Sequence, residues 1–181
     1  MGSDILQETV DNPQAMRTAI GSRFKWYYHL TPIGNADDIR AQGLLPHSDA
    51  NAPQQVLDAF GAHARKIVCV NPLGTDIVPP PVQSGPFICL AFENEALPRY
   101  VGLDWSYGTA TEIAQVLRNE DPSKPAADIF VEAIKRRGSM IAYGPISPGA
   151  LRVYTKGSLP HDPTRWPCLS LVSNAELLHF G

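Results

Sequence analysis

The chain lacks the patterns that mark several common classes of protein. Its three cysteines form no CxxC pair and its histidines no HExxH pair, so a zinc site is disfavoured. It has no G-x-S-x-G turn, no glycine-rich phosphate loop and no cysteine in an activating context, which argues against a serine or cysteine hydrolase. Cys69 and Cys89 lie in apolar runs and are predicted to be small buried residues. Cys168, in a Trp-Pro-Cys sequence, is the thiol predicted to be least buried.

Long hydrophobic runs and a strong charge of either sign are also missing. No apolar run approaches the roughly 20 residues that span a bilayer, and the N-terminus has no signal-peptide core, so no membrane partner is expected. The 15 Lys and Arg against 18 Asp and Glu give a net charge of -3, which does not favour general binding of polyanions but leaves a local basic patch open. The composition favours a reducing cytoplasm, and an effector toxin delivered into another cell would have the same composition.

The distribution of apolar and turn-forming residues predicts a mixed α+β protein of one domain, residues 1–181. The 17 prolines and 14 glycines indicate short elements joined by many loops. The apolar strand at 86–92 is predicted to be central, and a loop over 71–85 is expected to carry specificity together with the C-terminal tail. We expect helices over 4–22, 51–64, 109–118 and 125–138, and strands over 24–30, 66–70, 86–92, 139–143, 151–154 and 168–172.

The most informative stretch is residues 26–46, with the sequence WYYHLTPIGNADDIRAQGLLP. Its aromatic start predicts a strand that ends in His29-x-Thr31, so that an imidazole and a hydroxyl stand beside a tight turn. Asn35 is placed to cap the helix that follows, and Gly43 supplies a left-handed exit. This setting indicates a place to bind a polar ligand, whereas a strand histidine bonded to a backbone carbonyl is the structural alternative.

This stretch resembles the first motif of ADP-ribosyltransferase-like proteins, H-x-T followed by I-x-x-x-G-L, here HLT at 29–31 and IRAQGL at 39–44. The segment SMIAYGPISP at 139–148 is similar to the family's late strand followed by G-P-I-x-P. Within this family, the chain also resembles DNA-targeting toxins of the DarT type and RNA 2′-phosphotransferases.

The resemblance implies a fold of two small facing β-sheets with peripheral helices and a cleft of NAD size between them. The transferase-like core would span residues 24–154. Residues 1–22 would form an N-terminal helical segment, and residues 155–181 a C-terminal extension.

The resemblance also implies roles for individual residues. In the class with a His-Tyr-Glu triad, His29 would bind the adenine-side ribose of NAD, with Thr31 as its partner hydroxyl. Tyr107, which opens a helix in Tyr-Gly-Thr-Ala, is the candidate that contacts the nicotinamide. Because Tyr27 and Tyr28 alternate faces, one of them is expected in the core and Tyr28 is expected to border the pocket. The predicted NAD-binding residues are Tyr28, His29, Leu30, Thr31, Gly43 and Tyr107.

The third catalytic position departs from the family. A glutamate there would hold the ribose 2′-hydroxyl and supply negative charge to the transition state, but it falls at about position 139, where this chain has Ser139. Either transfer is lost, or a carboxylate comes from elsewhere, or the reaction does not need one. The substitutes considered are Glu93, Glu95, Glu112 and Glu132, the last two of which are more simply solvated helix faces.

The function implied is an enzyme that binds NAD as a substrate, needs no metal, and transfers ADP-ribose to a protein or nucleic acid. One alternative is a catalytically degenerate module that recognises a nucleotide or a protein partner, which Ser139 favours. Another is an RNA 2′-phosphotransferase-like enzyme, which requires several arginines to converge on His29. The arginines available for that are Arg17, Arg23, Arg40, Arg65, Arg99 and Arg152.

Overall fold

A computed structural model of the protein describes residues 4–47, 52–77, 87–105 and 109–154. In these ranges the chain forms six α-helices and six β-strands, which confirms the predicted α+β class. The helices are α1 (Ile5–Asp11), α2 (Pro13–Arg23), α3 (Ala36–Gln42), α4 (Gln54–Phe60), α5 (Thr109–Glu120) and α6 (Ala126–Arg137). The strands are β1 (Trp26–Pro32), β2 (Val68–Pro72), β3 (Phe87–Glu93), β4 (Val101–Leu103), β5 (Met140–Ala142) and β6 (Arg152–Tyr154). Three of the sequence predictions lie outside the described residues. They are the strand at 168–172, the exposure of Cys168 and the second half of the loop at 71–85.

The six strands form one antiparallel sheet in the order β4-β5-β2-β1-β3-β6. We predicted two small facing sheets; instead, β2 joins both halves, because Val68 to Val70 pair with β5 and the next two residues, Asn71 and Pro72, pair with β1. The strand predicted to be central, now β3, lies next to the edge strand β6. The prediction of a central position was therefore wrong. The strand is apolar because its side chains are buried in the core, although it lies near the edge of the sheet.

The junction between β1 and β2 is short. All seven residues of β1 pair with β3, whereas only Tyr27 and Tyr28 pair with β2, opposite Pro72 and Asn71. We call the point after the Tyr28–Asn71 pair the fork, because there β1 leaves β2. The chain passes through α3 and then returns, and His47 pairs with Ile67 just before β2 through backbone bonds of 3.0 and 3.1 Å.

Both faces of the sheet are covered by apolar packing. Helices α2, α5 and α6 pack on the face that carries Tyr27, Leu90 and Phe92. Val56 and Phe60 of α4 pack with Ile141 and Tyr143 of the other face. Tyr27 and Tyr28 are therefore both fully buried, whereas we predicted a core position for only one of them. Among the described residues, no helix has the length and apolar character needed to cross a membrane.

The end of α3 is fixed against the turn after β5. Leu44 and Ile146 exchange two backbone hydrogen bonds of 3.0 Å each. Gly43 adopts a φ of 81°, and a Cβ built on it would lie 2.1 Å from the carbonyl oxygen of Ile146. Only a residue without a side chain fits this approach. The G-L of the first motif and the G-P-I-x-P turn are therefore in direct contact.

Replacing Gly43 with alanine should destabilise the protein by about 3 kcal/mol or more, because a left-handed backbone and a backbone clash act together. The matched control is Gly74→Ala. Gly74 has a similar φ of 85° but open space around its missing Cβ, so only the strain of about 1 to 2 kcal/mol applies. Urea unfolding of the two variants measures the difference, and equal losses would contradict the assigned close packing.

Candidate functional site

His29 is the first residue of β1 beyond the fork, and its ring bonds to β2. Its Nδ1 lies 2.7 Å from the carbonyl oxygen of Cys69. Backbone polar groups alternate between the two sides of a strand, so Ile67, Cys69 and Asn71 turn theirs towards the same neighbour. Asn71 pairs with β1, and Ile67 pairs with His47. The imidazole therefore occupies the rung between these two backbone pairs.

The bond to Cys69 fixes the tautomer of His29. A carbonyl oxygen can only accept, so Nδ1 carries the hydrogen and Nε2 carries the lone pair. Burial lowers the pKa of His29 below its usual 6.5; the bond to Cys69 opposes this shift and the nearby His47 adds to it. The side chain is half-buried. At neutral pH it is a neutral imidazole with an acceptor nitrogen.

Two of the other predicted residues around His29, Thr31 and Tyr28, are more enclosed than the imidazole. Thr31 is buried, and its Oγ1 accepts a hydrogen bond of 3.0 Å from Nδ2 of Asn35. We predicted that Asn35 caps α3, but its side chain makes no cap bond to the helix and instead donates to Thr31. Tyr28 is fully buried, and burial raises the pKa of its phenol. Leu30 is half-buried opposite Cys89 of β3.

Ser139 contacts a carboxylate that our sequence analysis missed. Its Oγ donates a hydrogen bond of 3.0 Å to Oδ2 of Asp104, and both side chains are buried. Asp104 directly follows β4, and Ser139 directly precedes β5. These strands pair antiparallel with Leu103 opposite Met140, so the two side chains continue the register and face the same side of the sheet. A carboxylate therefore lies beside position 139, where the resemblance expects glutamate.

The same register relates this pair to the strand that carries His29. Val70 of β2 lies opposite Met140, which places Asn71 next to Ser139. Asn71 is in turn paired with Tyr28, and its Nδ2 donates a 3.4 Å bond to the Tyr28 carbonyl. Two strand spacings separate β1 from β5, about 10 Å. Asp104 and Ser139 share the sheet face of Asn71 and Tyr28, whereas His29, the next residue of β1, lies opposite Leu90 and points to the other face. The imidazole and the carboxylate are therefore neighbours along the strands but lie on opposite faces of the sheet.

A tyrosine and a tryptophan lie beside Asp104. Nε1 of Trp105 donates a hydrogen bond of 3.3 Å to the hydroxyl of Tyr143. Burial raises the pKa of Tyr143 to about 12; the charge of Asp104 adds to this shift and the bond from Trp105 opposes it. Gly102 makes room for this phenol, because a Cβ there would lie 2.8 Å from the Tyr143 hydroxyl. Trp105 and Tyr143 are therefore two neutral aromatic neighbours of the Asp104 carboxylate.

The glutamates considered as substitutes do not lie at this site. Glu93, Glu95 and Glu112 are exposed. Glu132 accepts a 2.8 Å hydrogen bond from Nε of Arg136 one turn along α6, and this bond lowers its pKa. Glu132 is thus part of the solvated helix face that we predicted for it. Tyr107, the predicted nicotinamide contact, lies outside the described residues, and Gly43 has the packing role described above.

The arginines do not converge on His29 in the described contacts. Arg17 donates to Asn94 at 2.8 Å, Arg40 pairs with Asp37 at 3.3 Å, and Arg152 donates to the carbonyl oxygens of residues 149 and 151. Arg99 lies over the Tyr100 ring. These contacts do not favour a phosphotransferase arrangement around the imidazole.

Asp104 could have been found from its position in the sequence. It ends the apolar run Val101-Gly102-Leu103 and precedes Trp105. A carboxylate at the end of a buried strand is unusual unless it is bonded to a partner. That partner, Ser139, lies 35 residues further along the chain, so only the pairing of β4 with β5 identifies it.

Comparison of the chain with protein-family models, curated proteins and solved structures finds no match. Among the described residues, no group of three or more His, Cys, Asp or Glu is arranged to hold a metal ion. The function is therefore inferred from the site itself.

Replacing His29 with asparagine should reduce the loss of stability in acid. The folded-state pKa of His29 is lowered, so the unfolded chain binds its proton more readily. The stability that neutral His29 contributes is complete above about pH 6.5 and declines as the pH falls below it. From about pH 7.5 to about pH 5, the unfolding free energy of the unaltered protein should fall more steeply than that of His29→Asn, by up to about 1.4 kcal/mol per pH unit.

Urea titrations at several pH values measure this difference. The control is His63→Asn, which removes an exposed histidine and should leave the slope unchanged. Parallel pH profiles for the unaltered protein and His29→Asn would show that the imidazole is not buried in its neutral form.

Proposed function

We propose that this protein binds NAD and transfers its ADP-ribosyl group to a macromolecular acceptor, a protein or a nucleic acid. The observation that carries the proposal is the buried Asp104 carboxylate, held by the Ser139 hydroxyl at 3.0 Å. It supplies the negative charge that the ADP-ribosyltransferase resemblance expects near position 139. The serine is then the residue that orients the carboxylate, and not a sign of lost activity.

His29 provides the second part of the proposed site. Because Nδ1 donates to Cys69, Nε2 is the acceptor and can receive a hydrogen bond from a ribose hydroxyl. We assign it the ribose on the adenine side of NAD, as the resemblance suggests. Asp104, whose carboxylate carries the proposal, is assigned the nicotinamide ribose.

The proposed reaction breaks the bond between C1′ of the nicotinamide ribose and the pyridinium nitrogen, whose electron pair leaves with neutral nicotinamide. Positive charge develops at C1′ and the ring oxygen, and the Asp104 carboxylate stabilises it. The aromatic neighbourhood of Trp105 and Tyr143 makes this charge interaction stronger than it would be in water. A lone pair on an oxygen or nitrogen of the acceptor forms the new bond to C1′, and the acceptor's proton passes to solvent.

A module that binds a nucleotide without transfer is the rival function. It is favoured by the burial of Asp104, which is 1% exposed, and of Ser139, which is 9% exposed. A carboxylate closed off from the ribose cannot assist the departure of nicotinamide. The two functions differ in turnover and not in nucleotide binding.

Replacing Asp104 with asparagine tests the proposal. Asparagine is nearly isosteric and keeps an oxygen that accepts the Ser139 hydroxyl, so the fold should persist. We expect release of nicotinamide from NAD to fall about 10²- to 10³-fold, in line with the loss of one transition-state partner in a preorganised site. Chromatography of nicotinamide, with water or a cell lysate as acceptor, measures the rate.

The matched control is Asp121→Asn, which changes an exposed carboxylate bonded to Ser123 and should leave the rate unchanged. If the unaltered protein binds NAD in calorimetry but releases no nicotinamide with any lysate, the binding module is the correct function. Full activity of Asp104→Asn would exclude the role assigned to this carboxylate.

The His29→Asn variant should affect binding more than chemistry. Its amide nitrogen replaces Nδ1 and can still donate to Cys69, but the acceptor at the Nε2 position is lost. We expect KM for NAD to rise about tenfold, the equivalent of one hydrogen bond, with a smaller change in kcat. A large fall in kcat at unchanged KM would place His29 at the reacting atoms instead.

A further inference from the structure

Three cations end α6 immediately before the site. Lys135, Arg136 and Arg137 form its last turn, and Gly138 then turns the chain into Ser139 with a φ of 78°. Only Gly138 lies between Arg137 and Ser139, so their Cα atoms are at most about 7 Å apart. These cations therefore lie at the same end of the sheet as the Asp104 carboxylate.

Two of the three cations already have acidic partners. Nζ of Lys135 lies 3.6 Å from Asp76, and Nε of Arg136 lies 2.8 Å from Glu132. Both pairs are partly solvated, so each holds its charge in an ordinary surface contact.

Arg137 differs from Lys135 and Arg136 in the face of α6 on which it lies and in having no acidic partner in the described part of the chain. It lies four residues after Ala133 and seven after Phe130, so it continues the buried stripe of α6 and not its solvent face. Its side chain is half-buried. Among the described residues, no hydrogen bond or ion pair of its guanidinium is found.

A half-buried guanidinium without a counter-charge is costly, because it has lost part of its hydration and gained no partner. The fork-shaped donors of arginine match phosphate oxygens, which they bind with two parallel hydrogen bonds. An anion at this position would restore both the charge balance and the missing hydrogen bonds.

We propose that Arg137 is a phosphate-binding residue that holds the diphosphate of a bound nucleotide. The inference rests on the proposed function and deepens it, since Arg137 lies two residues before Ser139, whose hydroxyl holds the Asp104 carboxylate. The phosphates of a polynucleotide acceptor have the same chemistry, and the experiment separates the two sources.

Calorimetry with ADP and with adenosine tests the assignment without requiring turnover. The unaltered protein should bind ADP more tightly than adenosine. In Arg137→Ala the affinity for ADP should fall about 10- to 100-fold, as expected for a charge-assisted pair of bonds, while the affinity for adenosine stays the same. Arg137→Lys should recover part of the loss, because it keeps the charge but not the two parallel donors.

The control is Arg136→Ala, which removes the same charge from the adjacent, outward-facing position. It should change the affinity for ADP by no more than about twofold. Equal losses in the two variants would show a general charge effect, and no loss in Arg137→Ala would overturn the proposal. Absence of ADP binding by the unaltered protein would overturn it as well.

A short single-stranded oligonucleotide provides the second arm. If Arg137→Ala weakens binding of the oligonucleotide and leaves ADP binding intact, the phosphate belongs to the acceptor and the assignment to the nucleotide is wrong. The inference and the proposed function fail separately. Arg137-dependent ADP binding without nicotinamide release would refute only the transferase, whereas nicotinamide release with Arg137-independent ADP binding would refute only the phosphate contact.

Discussion

The bond between the His29 imidazole and the Cys69 carbonyl is the constraint on which the centre of the sheet depends. Where β1 leaves β2, a backbone carbonyl on β2 loses the partner that a continuous ladder would supply, and a buried carbonyl without a partner is strongly unfavourable. The side chain of His29 takes that place. One bond therefore gives this carbonyl of β2 a partner and fixes which imidazole nitrogen is available to a ligand.

Two contacts distant in sequence connect the fork to the carboxylate. Leu44 bonds to Ile146, so the segment that follows α3 holds the turn after β5. At the other end of β5, Ser139 bonds to Asp104. The strand is thus fixed at both ends, once to the first motif and once to β4. This arrangement keeps the imidazole and the carboxylate at a constant separation across β2.

The features that could be predicted from sequence are those that depend on neighbours along the chain. The strand around His29, the helix that follows it and the left-handed exit at Gly43 all result from local patterns. The fork could not be predicted, because the departure of β1 from β2 depends on the return of His47 to Ile67. The same holds for the partner of Asp104, Ser139, which is set by the pairing of β4 with β5.

The adjacency of positions 104 and 139 restricts which pairs of residues they can carry together. Two ionised carboxylates at hydrogen-bonding distance in a buried setting would repel each other, and one would have to take up a proton. A glutamate in place of Ser139 is therefore compatible with this fold only if position 104 becomes neutral. The two positions together accommodate one negative charge, and in this chain position 104 carries it.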